Sequence, residues 1–135
     1  MPALALTDRD GVYGIPAAYV AVQKLAGPTK LIIGSQVTVD DGSTIVLLAS
    51  NRIGYKNLCR LITRGRLRCV KGKSRVSWRE VAEHASGQLA LWGGRESLLQ
   101  GESERAVGRA AGLLRESFGD RCYALVVRHL VASEG

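Results

Sequence analysis

Apolar residues in this chain fall in short blocks, some continuous and others at helical spacing, and the two kinds alternate. Residues 4–14 read LALTDRDGVYG: an apolar run closes on Thr7-Asp8-Arg9-Asp10-Gly11, the mark of a buried strand that turns sharply beside charged side chains. Residues 15–25 carry Ala17, Val20, Ala21 and Leu25 at helical spacing, with Pro16 suited to a first turn and Gly27-Pro28 as the stop, which predicts a short amphipathic helix. Residues 30–39 are rich in β-branched side chains, Asp40-Asp41-Gly42-Ser43 is turn chemistry, and 44–49 is a second apolar run, so a hairpin or tight strand connection is expected. Tyr55, Leu58, Leu61 and Ile62 then mark one face of a helix. Ser77-Trp78-Arg79-Glu80 has capping-box spacing, in which hydroxyl and carboxylate satisfy free backbone N–H groups, and 78–85 is the helix it starts. A brief strand over 88–91 ends at Gly93-Gly94, Val107, Ala110, Ala111, Leu114 and Phe118 draw a long helical stripe, and 122–127 is the final strand. This alternation predicts an α/β fold with a mostly parallel sheet and helices packed on it. The crevice of such sheets lies at the carboxyl ends of the strands, where the Asp8-Arg9-Asp10 turn sits.

Length and composition set the frame for that pattern. At 135 residues and 46% hydrophobic, the chain has material for one core and is read as a single domain over 1–135. No internal repeat or low-complexity segment is present. No apolar run is long enough to span a bilayer, and the N-terminus lacks the basic-then-apolar order of a signal peptide, so no membrane partner and a cytoplasmic location are expected. Cys59, Cys69 and Cys122 form no Cys-x-x-Cys pair and are odd in number, which argues against a disulfide framework and a zinc knuckle; each reads as a small apolar side chain.

Charge is distributed unevenly. Between Arg52 and Arg79 there are ten basic residues and no acid, against nine basic and twelve acidic residues elsewhere, so the whole net charge of +7 originates in this segment. Lys56, Arg60 and Arg64 follow one helix face at four-residue spacing, and Arg66, Arg68, Lys71, Lys73 and Arg75 continue in a stretch punctuated by glycine. Phosphate is the natural partner of such a field, and binding through it would be non-specific and salt-dependent. Tyr55 and Trp78 border the patch, as core anchors or as planes on which a base stacks. The ordinary alternative is a solvated surface.

The Leu-Thr-Asp-Arg-Asp-Gly turn resembles the Thr-Asp-His motif of the polymerase and histidinol phosphatase (PHP) domain family, in the form found at the front of bacterial error-prone DNA polymerases of the polymerase III α type. Further residues carry the likeness along the chain. Lys30-Leu31-Ile32-Ile33-Gly34-Ser35-Gln36-Val37 resembles the family's Gly-Ala-Glu strand, and Gly54-Tyr55-Lys56-Asn57-Leu58-Cys59-Arg60-Leu61 resembles its long and specific Gly-Tyr-x-Asn-Leu-Cys-x-Leu helix. Leu89-Ala90-Leu91-Trp92-Gly93-Gly94 is similar to an Ala-Leu-Ser-Gly-Gly strand end, and 123–130 to a strand that closes on Arg-His-Leu. The resemblance implies a distorted β/α barrel. Because the family's opening His-x-His strand and closing Asp-x-His have no counterpart here, the expectation is an incomplete barrel with open sheet edges, marginally stable unless the rest of a polymerase or another protein covers them.

An intact PHP site is implied to bind zinc or manganese through converging histidines and carboxylates, one ion generating hydroxide and another taking up charge on phosphate. In this chain the motif positions are changed. Arg9 stands where a histidine is usual, Gln36 where a glutamate is usual, and Gly94 offers no side chain. Asp8 and Asp10 remain, with turn capping as their ordinary role, and His129 ends the last strand while His84 reads as a helix cap. Ser35, Ser43 and Cys59 have no context that marks a nucleophile. No cofactor and no catalytic residue are therefore expected. The preferred reading is a PHP-domain fragment related to translesion DNA polymerase, without polymerase activity, with a degenerate metal site and a structural role in replication or repair. The alternatives are a phosphoesterase or 3′–5′ exonuclease completed by another chain, and a small basic module that binds nucleic acid through 52–79.

Overall fold

The computed structural model describes residues 3–12, 30–70, 73–93 and 104–125. The expected helix over 15–25, Lys71, Gly94 and His129 lie outside them. Five strands, β1 (Ala3–Arg9), β2 (Lys30–Thr38), β3 (Thr44–Ala49), β4 (Gln88–Gly93) and β5 (Cys122–Leu125), form one sheet in the order β1-β2-β3-β4-β5. Three helices pack on it: α1 (Arg52–Leu67), α2 (Trp78–Glu83) and α3 (Glu104–Phe118), the last running into a short 3-10 turn, Gly119–Arg121.

The fold is α/β as expected, but the sheet is mixed rather than mostly parallel. β1 pairs with β2 and β4 with β5 in parallel, whereas β2–β3 and β3–β4 are antiparallel. Two features of the chain explain the difference. The connection from β2 to β3 is too short for a parallel crossover, which takes a dozen or more residues, so it closes as a hairpin. Val39 donates to Ser43 at 2.8 Å, Gly42 donates to Val39 at 2.9 Å with φ of 88°, and the Asp41 carboxylate accepts from Ser43 N–H at 2.9 Å. Between β3 and β4 the chain leaves along α1 and comes back through 73–87, re-entering at the end it left: Ser50 donates to the Gly87 carbonyl at 2.9 Å. The returning segment docks beside the far end of β2, where Asp40 donates to Val76 at 2.8 Å and Val76 to Thr38 at 3.1 Å. Among the described residues β1 and β5 each pair on one side, so the sheet is open.

Alternation along the strands places the core on one face. Val37, Val39, Ile45, Leu47, Ala90 and Trp92 point to the helices and meet Leu58, Leu61 and Ile62 of α1, Val81 of α2, and Ala110, Leu114 and Phe118 of α3. Trp78 joins this core edge-to-face with Trp92, centroids 5.9 Å apart, and donates its indole N–H to Asp41 at 3.0 Å. It is a half-buried anchor rather than an exposed stacking plane.

The Gly-Tyr-x-Asn-Leu-Cys-x-Leu stretch explains itself in this packing. Asn51 caps α1 by accepting from Gly54 N–H, and Gly54 lies so close to the next turn that a Cβ there would sit 1.8 Å from the Gly87 carbonyl oxygen. Asn57 donates to the Ser86 carbonyl at 2.8 Å, and Leu58 and Leu61 enter the core. The motif is a docking device. It fastens the first two turns of α1 to the start of β4.

Candidate functional site at the ends of the first two strands

β1 and β2 run in parallel, so their carboxyl ends lie together, with Asp8 beside Ser35 and Arg9 beside Gln36 in register. Strand alternation sets Arg9 and Gln36 on the sheet face opposite the helices, and Asp8 and Ser35 on the helix-covered face. β1 stops at Asp10, which adopts the left-handed region with φ of 49°, a conformation that aspartate accepts more readily than most residues. The turn is then bound on every side. Asp10 N–H donates to the Gln36 carbonyl at 2.9 Å; its carboxylate accepts from Thr38 N–H and from the Thr38 hydroxyl, each at 2.7 Å. Its carbonyl accepts from the Arg66 guanidinium, through Nε at 3.0 Å and through Nη2. Ser35, fully buried, donates to the Asp8 carbonyl at 2.8 Å and accepts from Gly11 N–H at 3.1 Å. The Gln36 side-chain amide donates to the Thr44 hydroxyl at 3.3 Å.

These contacts decide what the site can do. A hydrolytic metal centre needs several anionic or imidazole donors aimed at one point. Here the two strand-end positions that lie side by side are a guanidinium and an amide, and both oxygens of Asp10 are turned toward Thr38. Among the described residues no group of three or more His, Cys, Asp or Glu is placed to hold an ion. His84 is the C-cap of α2, its Nδ1 2.7 Å from the Glu80 carbonyl oxygen. Among the described residues, Arg9, Gln36 and Asp10 present no converging set of donors of the kind an intact PHP site is implied to use. A cleft of about 400 Å³ adjoins the turn, lined by Gly11, Val12, Cys59, Ile62, Thr63 and Arg66. Its polar groups are engaged within the fold: Thr63 donates to the Cys59 carbonyl at 2.8 Å and Arg66 holds Asp10.

The basic segment is divided by the fold. Arg66 turns inward to the Asp10 carbonyl. Arg68 forms a two-pronged pair with Glu80, with Nη2 to Oε2 at 2.7 Å, and Arg64 approaches Glu83 at 3.5 Å and Glu80 at 3.9 Å. The Arg68 guanidinium, with burial opposing it and the Ser77 cap assisting, holds the Glu80 carboxyl below the usual carboxylate range. Lys56, Arg60, Lys73 and Arg75 are exposed and have no acidic partner among the described residues. Of the expected patch, Arg66 is engaged by the β1 turn and Arg64 and Arg68 by Glu80 and Glu83, whereas Lys56, Arg60, Lys73 and Arg75 stay exposed. Sequence reasoning missed Thr38 and Ser35 as the clamps of the β1 turn and Glu80 as a counter-charge. A signal for Arg66 was present, since its four-residue spacing from Leu58 and Ile62 puts it at the buried edge of α1.

Residues 1–125 match the PHP domain family. This chain belongs to the PHP domain family. The curated relatives it resembles include error-prone DNA polymerases. The PHP domain described here is 46% identical over 101 residues to the error-prone DNA polymerase of Pseudomonas fluorescens strain Pf-5, covering 73% of this chain and 10% of that polymerase. It is 32% identical over 131 residues to the enzyme of Rhodopirellula baltica, covering 93% of this chain and 11% of that protein, and 34% identical over 132 residues to that of Pseudomonas syringae pv. tomato, covering 98% and 12%. The chain therefore spans about a tenth of the length of these relatives. No described helix of this PHP domain is long and apolar enough to cross a membrane.

Proposed function

We propose that this PHP domain has a degenerate metal site, hydrolyses no phosphoester, has no polymerase activity of its own, and serves as a structural or interaction unit related to cytoplasmic error-prone DNA synthesis. One observation carries the reading: Arg9 and Gln36, in register at the ends of β1 and β2, supply a fixed positive charge and a neutral amide where cation ligands are required. The commitment of both Asp10 oxygens to Thr38 supports it, because that carboxylate already acts as a clamp. The open sheet is read as a section of a distorted β/α barrel whose β1 and β5 edges are covered by the rest of a polymerase or by another protein.

Metal content of the purified protein after dialysis against zinc and manganese tests this directly, together with phosphoesterase and 3′–5′ exonuclease assays under both ions. The expected result is substoichiometric metal and no turnover. Stoichiometric metal with turnover, both lost in Asp8→Ala, overturns the proposal.

A further inference from the structure

We infer that the outer face of α1 is a contact surface for the phosphate backbone of a single nucleic-acid strand, carried by Arg52, Lys56 and Arg60 with Tyr55 as a flanking plane. The inference is independent of the metal question, since α1 presents this face away from the core.

The fold supplies the argument by sorting the cations. Of the ten basic residues between Arg52 and Arg79, Arg64 and Arg68 are partly neutralised by Glu80 and Glu83, and Arg66 is spent on the β1 turn. Arg52, Lys56 and Arg60 are exposed and have no acidic partner among the described residues. They recur every four residues, opposite the buried stripe of Gly54, Leu58, Leu61, Ile62 and Gly65. At about 1.5 Å rise per residue, that spacing sets the cations roughly 6 Å apart in one row. The first turn of α1 contains no acid, so the positive end of the helix dipole adds to the field at Arg52.

Chemistry selects the partner. A row of one sign with a lysine at its centre matches a line of phosphates, whereas protein interfaces deplete lysine; the exposed Ile53 and Leu67 of the same helix flank the row rather than interrupt it. Tyr55 is 39% exposed and lies beside the Arg52 end of the row, where its ring can take an unstacked base. A duplex keeps its bases inside, which favours a single strand.

Fluorescence anisotropy with a labelled oligothymidylate, titrated over a range of potassium chloride concentrations, tests the surface, with a duplex of equal length and polyglutamate as competitors. The combined variant Arg52→Gln/Lys56→Gln/Arg60→Gln should flatten the slope of log K against log salt by about 2, roughly 0.7 for each phosphate no longer neutralised. Lys56→Gln and Arg60→Gln alone should each flatten it by about 0.7, which keeps the test decisive if the combined variant fails to fold. Tyr55→Ala should weaken binding about 5-fold or more. No binding by the native chain at low salt, an unchanged slope in the charge variants, tighter binding to duplex, or competition by polyglutamate equal to that by oligothymidylate would each overturn the inference.

Discussion

Replacing Asp10 separates a clamp from an ion ligand. In the native turn its carboxylate accepts two hydrogen bonds from Thr38 at 2.7 Å, while its backbone holds φ of 49°. Hydrogen bonds to a charged acceptor contribute about 1.5–3 kcal/mol each and neutral ones about 0.5–1.5 kcal/mol. Asparagine tolerates the same backbone and keeps one acceptor and one donor for the Thr38 pair, so Asp10→Asn loses chiefly the charge assistance. With Thr38 half-buried and water replacing part of the loss, the expected cost is about 1–2 kcal/mol. Asp10→Ala loses both bonds and places an ordinary side chain in the left-handed region, which costs about 1 kcal/mol more, for a total of about 3–5 kcal/mol. Urea denaturation followed by the fluorescence of Trp78 and Trp92, with and without chelator, measures both. An acid kept for binding a cation is a burden in the cation's absence, and the amide would relieve it. If Asp10→Asn is as stable as the native chain or more so, or if its effect changes with chelator, the clamp reading is wrong.

Two further outcomes follow from the packing. Because Arg68 holds the Glu80 carboxyl below its usual value of 4.5, the stabilisation is complete above that pH and is lost as pH falls through the lower folded value. Glu80→Gln should therefore be less stable by about 1 kcal/mol near neutrality, a figure reduced for the exposure of Arg68, and the gap should close in acid; a gap constant with pH refutes the pair. Gly54→Ala, with its Cβ 1.8 Å from the Gly87 oxygen, should cost about 3 kcal/mol or more, whereas Gly108→Ala, at an exposed position of α3 where a Cβ meets nothing within 4 Å, should stabilise by about 0.5–1 kcal/mol. Urea midpoints of the two variants give the comparison, and equal effects would contradict the described docking of α1.

The elements were legible because their signals are local. The Asp40–Ser43 turn residues, the Ser77 capping box and the stripe from Val107 to Phe118 each fix a short piece of backbone through nearby contacts, and the structure has the hairpin, α2 and α3 at those places. Strand direction was not legible. It depends on where the chain re-enters the sheet after α1, and Ser50 meeting Gly87 is a contact that no periodicity reports. The site was half legible for the same reason. Motif likeness brought Arg9 and Gln36 into one argument, and their register agrees, but Thr38 holding Asp10 joins residues 28 apart. The charge of the basic segment was legible but its pairing was not, because Glu80 and Glu83 lie just beyond its end in sequence and meet Arg64 and Arg68 only in the fold.

The out-and-back path between β3 and β4 also divides the molecule by loop length. β2, β3 and β4, with the two helices enclosed between the latter two, are joined by a short hairpin and by an excursion that closes on itself, so this block assembles from neighbouring stretches of chain. β1 and β5 are attached outside it by parallel pairing, which demands longer closures and comes later and at greater entropic cost. Opening should accordingly proceed from the flanks inward, with the central amides the last to exchange with solvent.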